Sequence, residues 1–173
     1  MLKLLRKPRG ERALAERLLK AIVGRSRAAV FFNELHVPDT LDGRFDLSVL
    51  HAWMVLDRLG KLGNRSLAQQ LTDALFTSFD EGLRELGAGD IGMGRRMKQI
   101  ANAFYGRLRA YSDSQDEAAL AEALLRNVYR GVPDRQSDAL VLAHCAQTGV
   151  AHLEFCDVSS GEVAFGPLPT RRS

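Results

Sequence analysis

Apolar residues recur along most of this chain at the three- and four-residue intervals of amphipathic helices. Between residues 93 and 111 the intervals are 4, 3, 4, 4 and 3, and between residues 67 and 86 the apolar residues form one stripe with polar residues opposite. These intervals match the 3.6 residues of a helical turn. Further stripes predict helices over residues 8–24, 47–62, 117–128 and from 134 onward. The sequence therefore predicts an all-α fold, a single-domain bundle of about six helices with a short extended C-terminal tail.

The segment of residues 47–62 is apolar around most of its circumference, which predicts a helix in the middle of the core. The residues before it are typical of a tight loop, because Pro38 favours extended backbone at its predecessor and Asp42-Gly43 suits a turn with positive φ. Asp46 is predicted as the N-cap of this helix, with its carboxylate accepting hydrogen bonds from the free amides of the first turn.

Several other residues indicate where helices begin or end and where another segment packs closely against a helix. Ser114 and Glu117 have the spacing of a capping box. Gly106 lies inside a predicted helix, where it costs about 1 kcal/mol relative to Ala, so we expect another backbone, from this chain or a partner, to pass close to it. Gly149 either ends the last helix or sits inside it. Residues 158–165 are predicted as a short hairpin or an extended strap.

Basic residues are concentrated at the start of the chain. The net charge is +3, but residues 1–30 hold nine Lys or Arg against two Glu and carry +7, which leaves −4 for the remainder. This excess predicts an anionic partner, either an anionic membrane surface or RNA, including that of a ribosome. The residues predicted to make the membrane or RNA contact are Lys3, Arg6, Lys7, Arg9 and Arg12. A packed helix with a solvated charged face is the alternative.

These patterns divide the chain into three ranges. Residues 1–30 are predicted as a basic amphipathic helix packed on or flanking the domain, residues 31–156 as the helical domain, and residues 157–173 as an extended tail. No apolar run reaches the length of about 18 residues that predicts a membrane span. The two cysteines follow no secretory signal and are expected to be free thiols, which favours a cytoplasmic protein.

No set of residues has the pattern of a catalytic centre. His51 has no second histidine or carboxylate near it in sequence, so a structural histidine is favoured over a small haem-binding helical protein that uses His51. Trp53 is predicted as a core anchor. Cys145, His152 and Cys156 would share one face of a continuous helix, but a structural zinc site needs four ligands. We therefore expect no catalytic residue, no metal and no cofactor.

An ordered set of motifs extends from residue 37 to residue 111. It comprises Val37-Pro38-Asp39-Thr40, Asp42-Gly43-Arg44-Phe45-Asp46, Leu50-His51, Phe79-Asp80, Leu83-Arg84-Glu85, Gly87 with Gly89-Asp90, Lys98, and Phe104-Tyr105-Gly106-Arg107 with Ala110-Tyr111. As a set, these motifs resemble the ubiquinol–cytochrome c chaperone family, the assembly factors of ubiquinol–cytochrome c reductase. The chain is similar to a bacterial-type member, because its first helix begins almost at residue 1 without a transit peptide or membrane anchor.

This resemblance implies a mainly helical, non-catalytic chaperone that binds newly made cytochrome b, or another hydrophobic membrane client, and is peripheral on the inner membrane. A groove between amphipathic helices would receive the apolar stripes of such a client. Basic residues at the start of the fourth helix, including Arg96, are candidates for an anion-binding corner. The predicted partner-binding residues are Phe79, Asp80, Asp90, Arg95, Met97, Lys98, Tyr105 and Arg107. An RNA- or ribosome-binding helical module is the alternative function, and the pattern does not fix the oligomeric state.

Overall fold

The structure, a computed structural model, describes residues 9–85, 87 and 92–170. Its α-helices are α1 (Arg9–Ser26), α2 (Ala29–Asn33), α3 (Leu41–Lys61), α4 (Arg65–Glu85), α5 (Met93–Ser112), α6 (Glu117–Asn127) and α7 (Gln136–Leu153). Single 3-10 turns lie at Pro133–Arg135 and Val158–Ser160. None of the described residues is in a β-strand. The predicted all-α class is confirmed, with the short α2 added to the six predicted helices. No described helix has the apolar length that a bilayer span requires.

Helix α3 lies at the centre of the bundle and contacts α1, α4, α5 and α7. Its residues Leu47, Leu50, Val55 and Leu59 are fully buried. A helix that is apolar on nearly every side needs neighbours on nearly every side, so this central position follows directly from the sequence pattern.

The start of α3 differs from the prediction. The helix begins at Leu41, and its N-cap is Thr40, whose hydroxyl accepts a hydrogen bond from the amide of Gly43 at 3.2 Å. Gly43 has helical backbone, and a Cβ atom there would collide with the carbonyl oxygen of Pro38. Glycine is required by this close approach and not by a positive φ. Asp46, predicted as the N-cap, instead lies in the second turn of the helix and is buried.

Helix α1 packs against α3 and α4 through Ala15, Leu18 and Ile22, which are buried and recur at helical spacing. One core cluster joins these residues to side chains of the other helices and of the tail. The division of the chain at residues 30 and 156 into separate units stays a prediction.

Helices α6 and α7 pack against each other. The N-cap of α6 is Asp116, whose carboxylate accepts from the amide of Ala119 at 2.8 Å. The predicted capping box that began at Ser114 is therefore wrong, because the Ser114 hydroxyl donates back to the carbonyl of Ala110. The Asp116 carboxylate, immediately before the first helical residue, caps the helix in place of the Ser114 hydroxyl two positions earlier.

Helix α7 passes close to α3 at Gly149, which sits inside the helix. A Cβ atom at this position would lie 2.8 Å from Sδ of Met54. The glycine therefore allows the two helices to approach, and the helix continues to Leu153.

The tail crosses the bundle as an extended segment, which we call the C-terminal strap (residues 161–170). Phe165 in the strap is buried, and its ring packs edge-on against His51 with 5.1 Å between ring centroids. The guanidinium of Arg25 donates to the carbonyls of Gly166 and Pro167 at 3.1 and 2.6 Å. Of the two predicted forms, hairpin and strap, the structure has the strap.

Candidate functional site: an apolar groove with an arginine rim

Five helices surround an open groove of about 730 Å³. Its walls come from the C-terminal parts of α1, α4 and α6, from the N-terminal part of α3 and from most of the length of α5. This volume is typical of sites that take a small molecule or a few side chains of a partner. The apolar residues that line the groove are Leu19, Val23, Leu41, Phe45, Leu75, Phe79, Leu83, Ile100 and Ala103.

One face of α5 forms a long wall of the groove. Arg96, Ile100, Ala103 and Arg107 all line it, and their spacing of 4, 3 and 4 residues places them on one side of a helix. At 1.5 Å per residue, the two arginines at the ends of this row are about 16 Å apart along the helix axis. The wall is therefore apolar in the middle and positively charged at both ends.

Aromatic rings support the opposite side of the groove. Phe79 of α4 packs edge-on against Phe45 of α3, with 5.1 Å between centroids, and against Phe104 of α5 at 6.3 Å. The guanidinium of Arg107 lies 5.3 Å from the centroid of the Phe45 ring. Edge-to-face rings and a cation over a ring are favourable arrangements, so these contacts fix the wall residues in place.

A buried carboxylate lies beside the groove. Asp46 is fully buried, with its Oδ1 2.8 Å from Nε of Arg107 and its Oδ2 2.9 Å from Nη2 of Arg130. The N–H groups point off line, so neither carboxylate oxygen has a well-aligned hydrogen bond within the described range. The contact is therefore mainly an ion pair, and it ties α3 to α5 and to the residues after α6.

Burial controls the protonation of Asp46. Desolvation raises the pKa of its carboxyl to about 6, against the opposing charges of Arg107 and then Arg130. The phenol of Tyr111 is also buried, and desolvation together with the Asp46 charge raises the pKa of Tyr111. At neutral pH the Asp46 carboxylate is mostly ionised and holds both guanidiniums.

Arginines dominate the rim of the groove. Its lining contains six arginines against the two acidic residues Asp42 and Glu85; the arginines are Arg27, Arg44, Arg96, Arg107, Arg126 and Arg130. Arg44 pairs with Asp39 at 2.7 Å, and two others pair with Asp46 as described. Three arginines, Arg27, Arg96 and Arg126, form no ion pair with any described residue. The groove therefore combines an apolar floor with an excess of positive charge.

Two of the predicted partner-binding residues, Phe79 and Arg107, lie in the groove. On α5, Arg95, Met97 and Lys98 occupy neighbouring faces and do not line it. Asp90 lies outside the described residues.

Two further predicted residues lie on the surfaces of α4 and α5. Asp80 pairs with Arg84 one turn along α4 at 2.8 Å. Tyr105 is 54% exposed, and outside the groove its ring contacts Phe104 edge-on and Phe76 at a tilt. The structure therefore separates the predicted set into a groove pair and a group on adjacent helix faces.

Three of the five residues predicted to contact a membrane or RNA precede the described part of the chain. Lys3, Arg6 and Lys7 fall outside the described residues, and Arg9 is the first residue of α1. Arg12 is exposed and pairs with Glu16 at 3.1 Å, one turn along the helix. This pair is a solvated surface contact, which contributes little to stability.

His51, the candidate haem ligand of the alternative function, lies in the core. Its Nδ1 is 2.8 Å from the carbonyl oxygen of Leu47 and 3.2 Å from the hydroxyl of Ser26. Its ring packs against Phe31 and Phe165. Burial lowers the pKa of His51 to about 4, so the imidazole is neutral at physiological pH. The structure therefore assigns His51 to the fold.

The candidate thiol and imidazole ligands of a metal do not converge. Cys145 is buried near Arg25, with 3.8 Å between Sγ and Nη2, whereas Cys156 lies beyond the end of α7. His152 packs against Gly166 of the strap. Within residues 9–85, 87 and 92–170, no group of three or more potential ligands could hold a metal ion.

The expected close approach at Gly106 is absent from the described chain. A Cβ atom at Gly106 would meet no heavy atom within 4 Å among the described residues. No described residue therefore supplies the intramolecular approach, and approach by a partner stays a prediction.

The sequence does not mark every residue of the groove. Arg44 belongs to the motif of residues 42–46 but has no pattern that predicts a binding role, and Arg126 has no pattern that separates it from ordinary surface arginines. Arg130 reaches Asp46 from a residue with a φ of +56°, a backbone conformation that the sequence does not signal. Arg96, a candidate of the predicted anion-binding corner, lies on the groove face of α5 because it is four residues from Ile100, whereas Arg95 is rotated by about 100°.

The fold and the groove define a class of protein: an all-α protein whose described residues form a binding groove between helices. The model of the family described as ubiquinol-cytochrome C chaperone matches residues 33–160. The chain belongs to this family, and with it to a non-catalytic class of assembly factors.

Known proteins with similar sequences or structures agree with this assignment. The crystal structure of the Cbp3 homolog from Brucella abortus superimposes with a TM-score of 0.82 at 34% identity, covering 94% of this chain and 93% of that one. Ubiquinol-cytochrome-c reductase complex assembly factor 1 of Xenopus laevis is 25% identical over 146 residues, 80% of this chain and 73% of that protein. Protein CBP3, mitochondrial, of Saccharomyces cerevisiae is 29% identical over 113 residues, 60% of this chain.

The chain is shorter than several of these relatives. It spans 54% of the human assembly factor 1 and 33% of the yeast CBP3 protein. Most of the groove belongs to the part that the family model matches, because all of its lining except the residues of α1 and Arg27 lies between residues 33 and 160.

Proposed function

We propose that this chain is an assembly chaperone that binds newly made cytochrome b during the assembly of ubiquinol–cytochrome c reductase. The observation that carries this proposal is the groove itself, in which Phe45, Phe79 and Ile100 line an open apolar surface inside a chain of the ubiquinol-cytochrome C chaperone family. The groove offers a surface for binding and needs no reacting group.

The shape of the groove suits a helical segment of a membrane subunit. Outside the bilayer such a segment exposes apolar side chains, and their burial contributes about 25 cal/mol per Å². The wall of α5 is about 16 Å long, which matches about three turns of a docked helix. Docking of an apolar helix face into a groove between helices is a common mode of peptide recognition.

The rim also suits transient binding. Half of the rim arginines already have carboxylate partners within the chain, so a client makes few strong new contacts. An assembly factor must release its client, and a groove of this size supports moderate affinity better than permanent association.

We also propose that the chaperone is peripheral on the inner membrane, near the site where its client is inserted. The net charge of +7 over residues 1–30 supports this location. Each Lys or Arg held at an anionic membrane surface contributes about 1 kcal/mol. The described residues give no observation that favours the alternative, an RNA- or ribosome-binding module.

Site-specific crosslinking in cells tests the proposal. A photo-crosslinking amino acid at Gln99, which lines the groove, is compared with the same amino acid at Asn102, which is exposed on α5 outside it. We expect adducts with cytochrome b from position 99 and few from position 102. Tyr105 and Lys98 serve as further positions on the adjacent faces.

Two results would contradict the proposal. One is equal capture, or no capture, of cytochrome b from the two positions. The other is a normal level of assembled reductase in a strain that lacks this protein. Capture of ribosomal components in place of cytochrome b would favour the RNA- or ribosome-binding alternative.

A further inference from the structure

Positive charge is distributed unevenly around the groove. Along α5, Arg96 stands at one end of the apolar row and Arg107 at the other, about 16 Å away. Arg130 joins Arg107 at Asp46, and Arg126, near the end of α6, lines the groove four residues before Arg130. The groove therefore has a positively charged position at each end and an apolar floor between them.

The arginines at the Asp46 end are held in place before any ligand arrives. Arg107 holds Nε 2.8 Å from the buried carboxylate and donates from Nη1 to the carbonyl of Ala103, and its side chain is only 15% exposed. Arg130 holds Nη2 2.9 Å from the same carboxylate and remains 47% exposed. A guanidinium has five N–H donors, so both arginines keep donors for another anion. Asp46 is thus a positioning residue for the rim.

Two further rim arginines, Arg96 and Arg126, have no carboxylate partner among the described residues. Both are exposed. Two arginines that share a single carboxylate also leave one positive charge uncompensated at the Asp46 end. An anion that arrives at either end therefore meets a guanidinium without displacing an existing internal partner.

We propose that the groove selects an apolar helical segment that carries one carboxylate near each end, about 11 residues apart. One carboxylate binds Arg96, and the other binds the cluster of Arg107, Arg126 and Arg130. This inference rests on the proposed function, and it specifies which part of a membrane client is recognised.

The two-ended charge favours a polypeptide over a lipid. A phospholipid has one anionic end and a long apolar end, so it leaves one of the two positive positions without a partner. A helix with acidic residues at both flanks satisfies both positions and covers the floor between them. The planar fork of arginine also matches a carboxylate with two parallel hydrogen bonds.

A pair of synthetic peptides tests the proposal. Both form an apolar helix of about 18 residues, and they differ only in two Glu about 11 residues apart that become Gln in the second peptide. Fluorescence anisotropy with the full chain gives the affinity of each. We expect the Glu peptide to bind about fivefold to tenfold more tightly at low salt, with a smaller difference at high salt.

Matched variants locate the effect. The double variant R96Q/R126Q is expected to lose most of the preference for the Glu peptide. The control R95Q/R109Q makes the same charge change on exposed residues of α5 outside the groove and is expected to keep the preference. Neither variant removes a partner of the buried Asp46, so both are expected to fold. Phe79→Ser is expected to weaken both peptides.

The outcomes separate this inference from the function on which it rests. If the two peptides bind equally and Phe79→Ser weakens both, the two-carboxylate rule is wrong while groove binding stands. If neither peptide binds, both proposals fail. If vesicles that contain anionic phospholipid displace the Glu peptide, and do so only when Arg96 and Arg126 are present, the groove is a lipid site and the inference is overturned.

Discussion

Two buried polar residues of α3, Asp46 and His51, differ in charge and in what they contact. His51 is neutral, its Nδ1 lies within hydrogen-bonding distance of the Leu47 carbonyl oxygen and the Ser26 hydroxyl, and its ring is covered by the C-terminal strap. Asp46 is ionised at neutral pH, has poorly aligned contacts, and holds two arginines of the groove rim. The first site only stabilises the fold. The second links the fold to the surface that binds.

The two sites also respond to pH in opposite directions. Burial favours the neutral form of each group, so it raises the pKa of Asp46 to about 6 and lowers the pKa of His51 to about 4. Between pH 4 and 6, Asp46 binds more protons in the folded state than in the unfolded state. Between pH 4 and 6.5, His51 binds more protons in the unfolded state. The two contributions to the free energy of unfolding therefore oppose each other over the same range.

The largest effect is expected from Arg107→Met. This change removes one of the two cations at a fully buried carboxylate, and we expect the free energy of unfolding at pH 7 to fall by about 3 kcal/mol. Urea denaturation measures it. Arg109→Met, on an exposed residue of the same helix, is the control and should change stability by less than about 0.5 kcal/mol. Equal effects of the two changes would show that Asp46 does not depend on Arg107.

His51→Gln sharpens the comparison through pH. The folded pKa of about 4 lies below the ordinary value of 6.5, so His51 contributes stability above pH 6.5 that is lost as pH falls toward 4. We expect the wild type to lose about 3 kcal/mol more than the variant over this range. Urea midpoints at several pH values measure the difference. Parallel pH profiles of the two proteins would contradict a neutral, buried His51.

Asp46→Asn should show the opposite slope. The folded pKa of about 6 lies above the ordinary value of 3.8, so the contribution of Asp46 is greatest below pH 3.8 and is lost as pH rises through 6. Water reaches the half-exposed Arg130, which moderates the effect, and we expect the wild type to lose about 2 kcal/mol relative to the variant between pH 4 and 7. The same urea series measures it. A wild type that gains stability relative to the variant would show that the two arginines outweigh desolvation.

The smallest effect is expected from Arg25→Gln, which weakens the cover over His51. The change removes two charged hydrogen bonds to strap carbonyls, and we expect a loss of about 1 kcal/mol. Faster hydrogen exchange should be confined mainly to residues 161–170. Lys20→Gln, an exposed residue of the same helix with no described partner, is the control. Unchanged exchange in the strap would show that Phe165 alone holds it.

The difference between Asp46 and His51 also explains what the sequence could predict. The helices follow from short-range periodicity, and a structural role for His51 follows from the lack of a second histidine or carboxylate near it in sequence. Asp46 precedes an apolar run, which is the local pattern of an N-cap, and only contacts with α5 and the residues after α6 reveal its real role. The roles of groove residues such as Arg126 and Arg130 likewise cannot be predicted from the sequence, because their neighbours in space are distant in the chain.

The groove lining begins at Leu19 and ends at Arg130, so no short fragment of the protein contains it. A ribosome must therefore synthesise most of the polypeptide before the surface exists, and the helices must assemble before it has a shape. A chain that stops before Arg130 would consequently lack part of the lining. The order of the helices alone thus delays the binding surface until about three quarters of the sequence has been made.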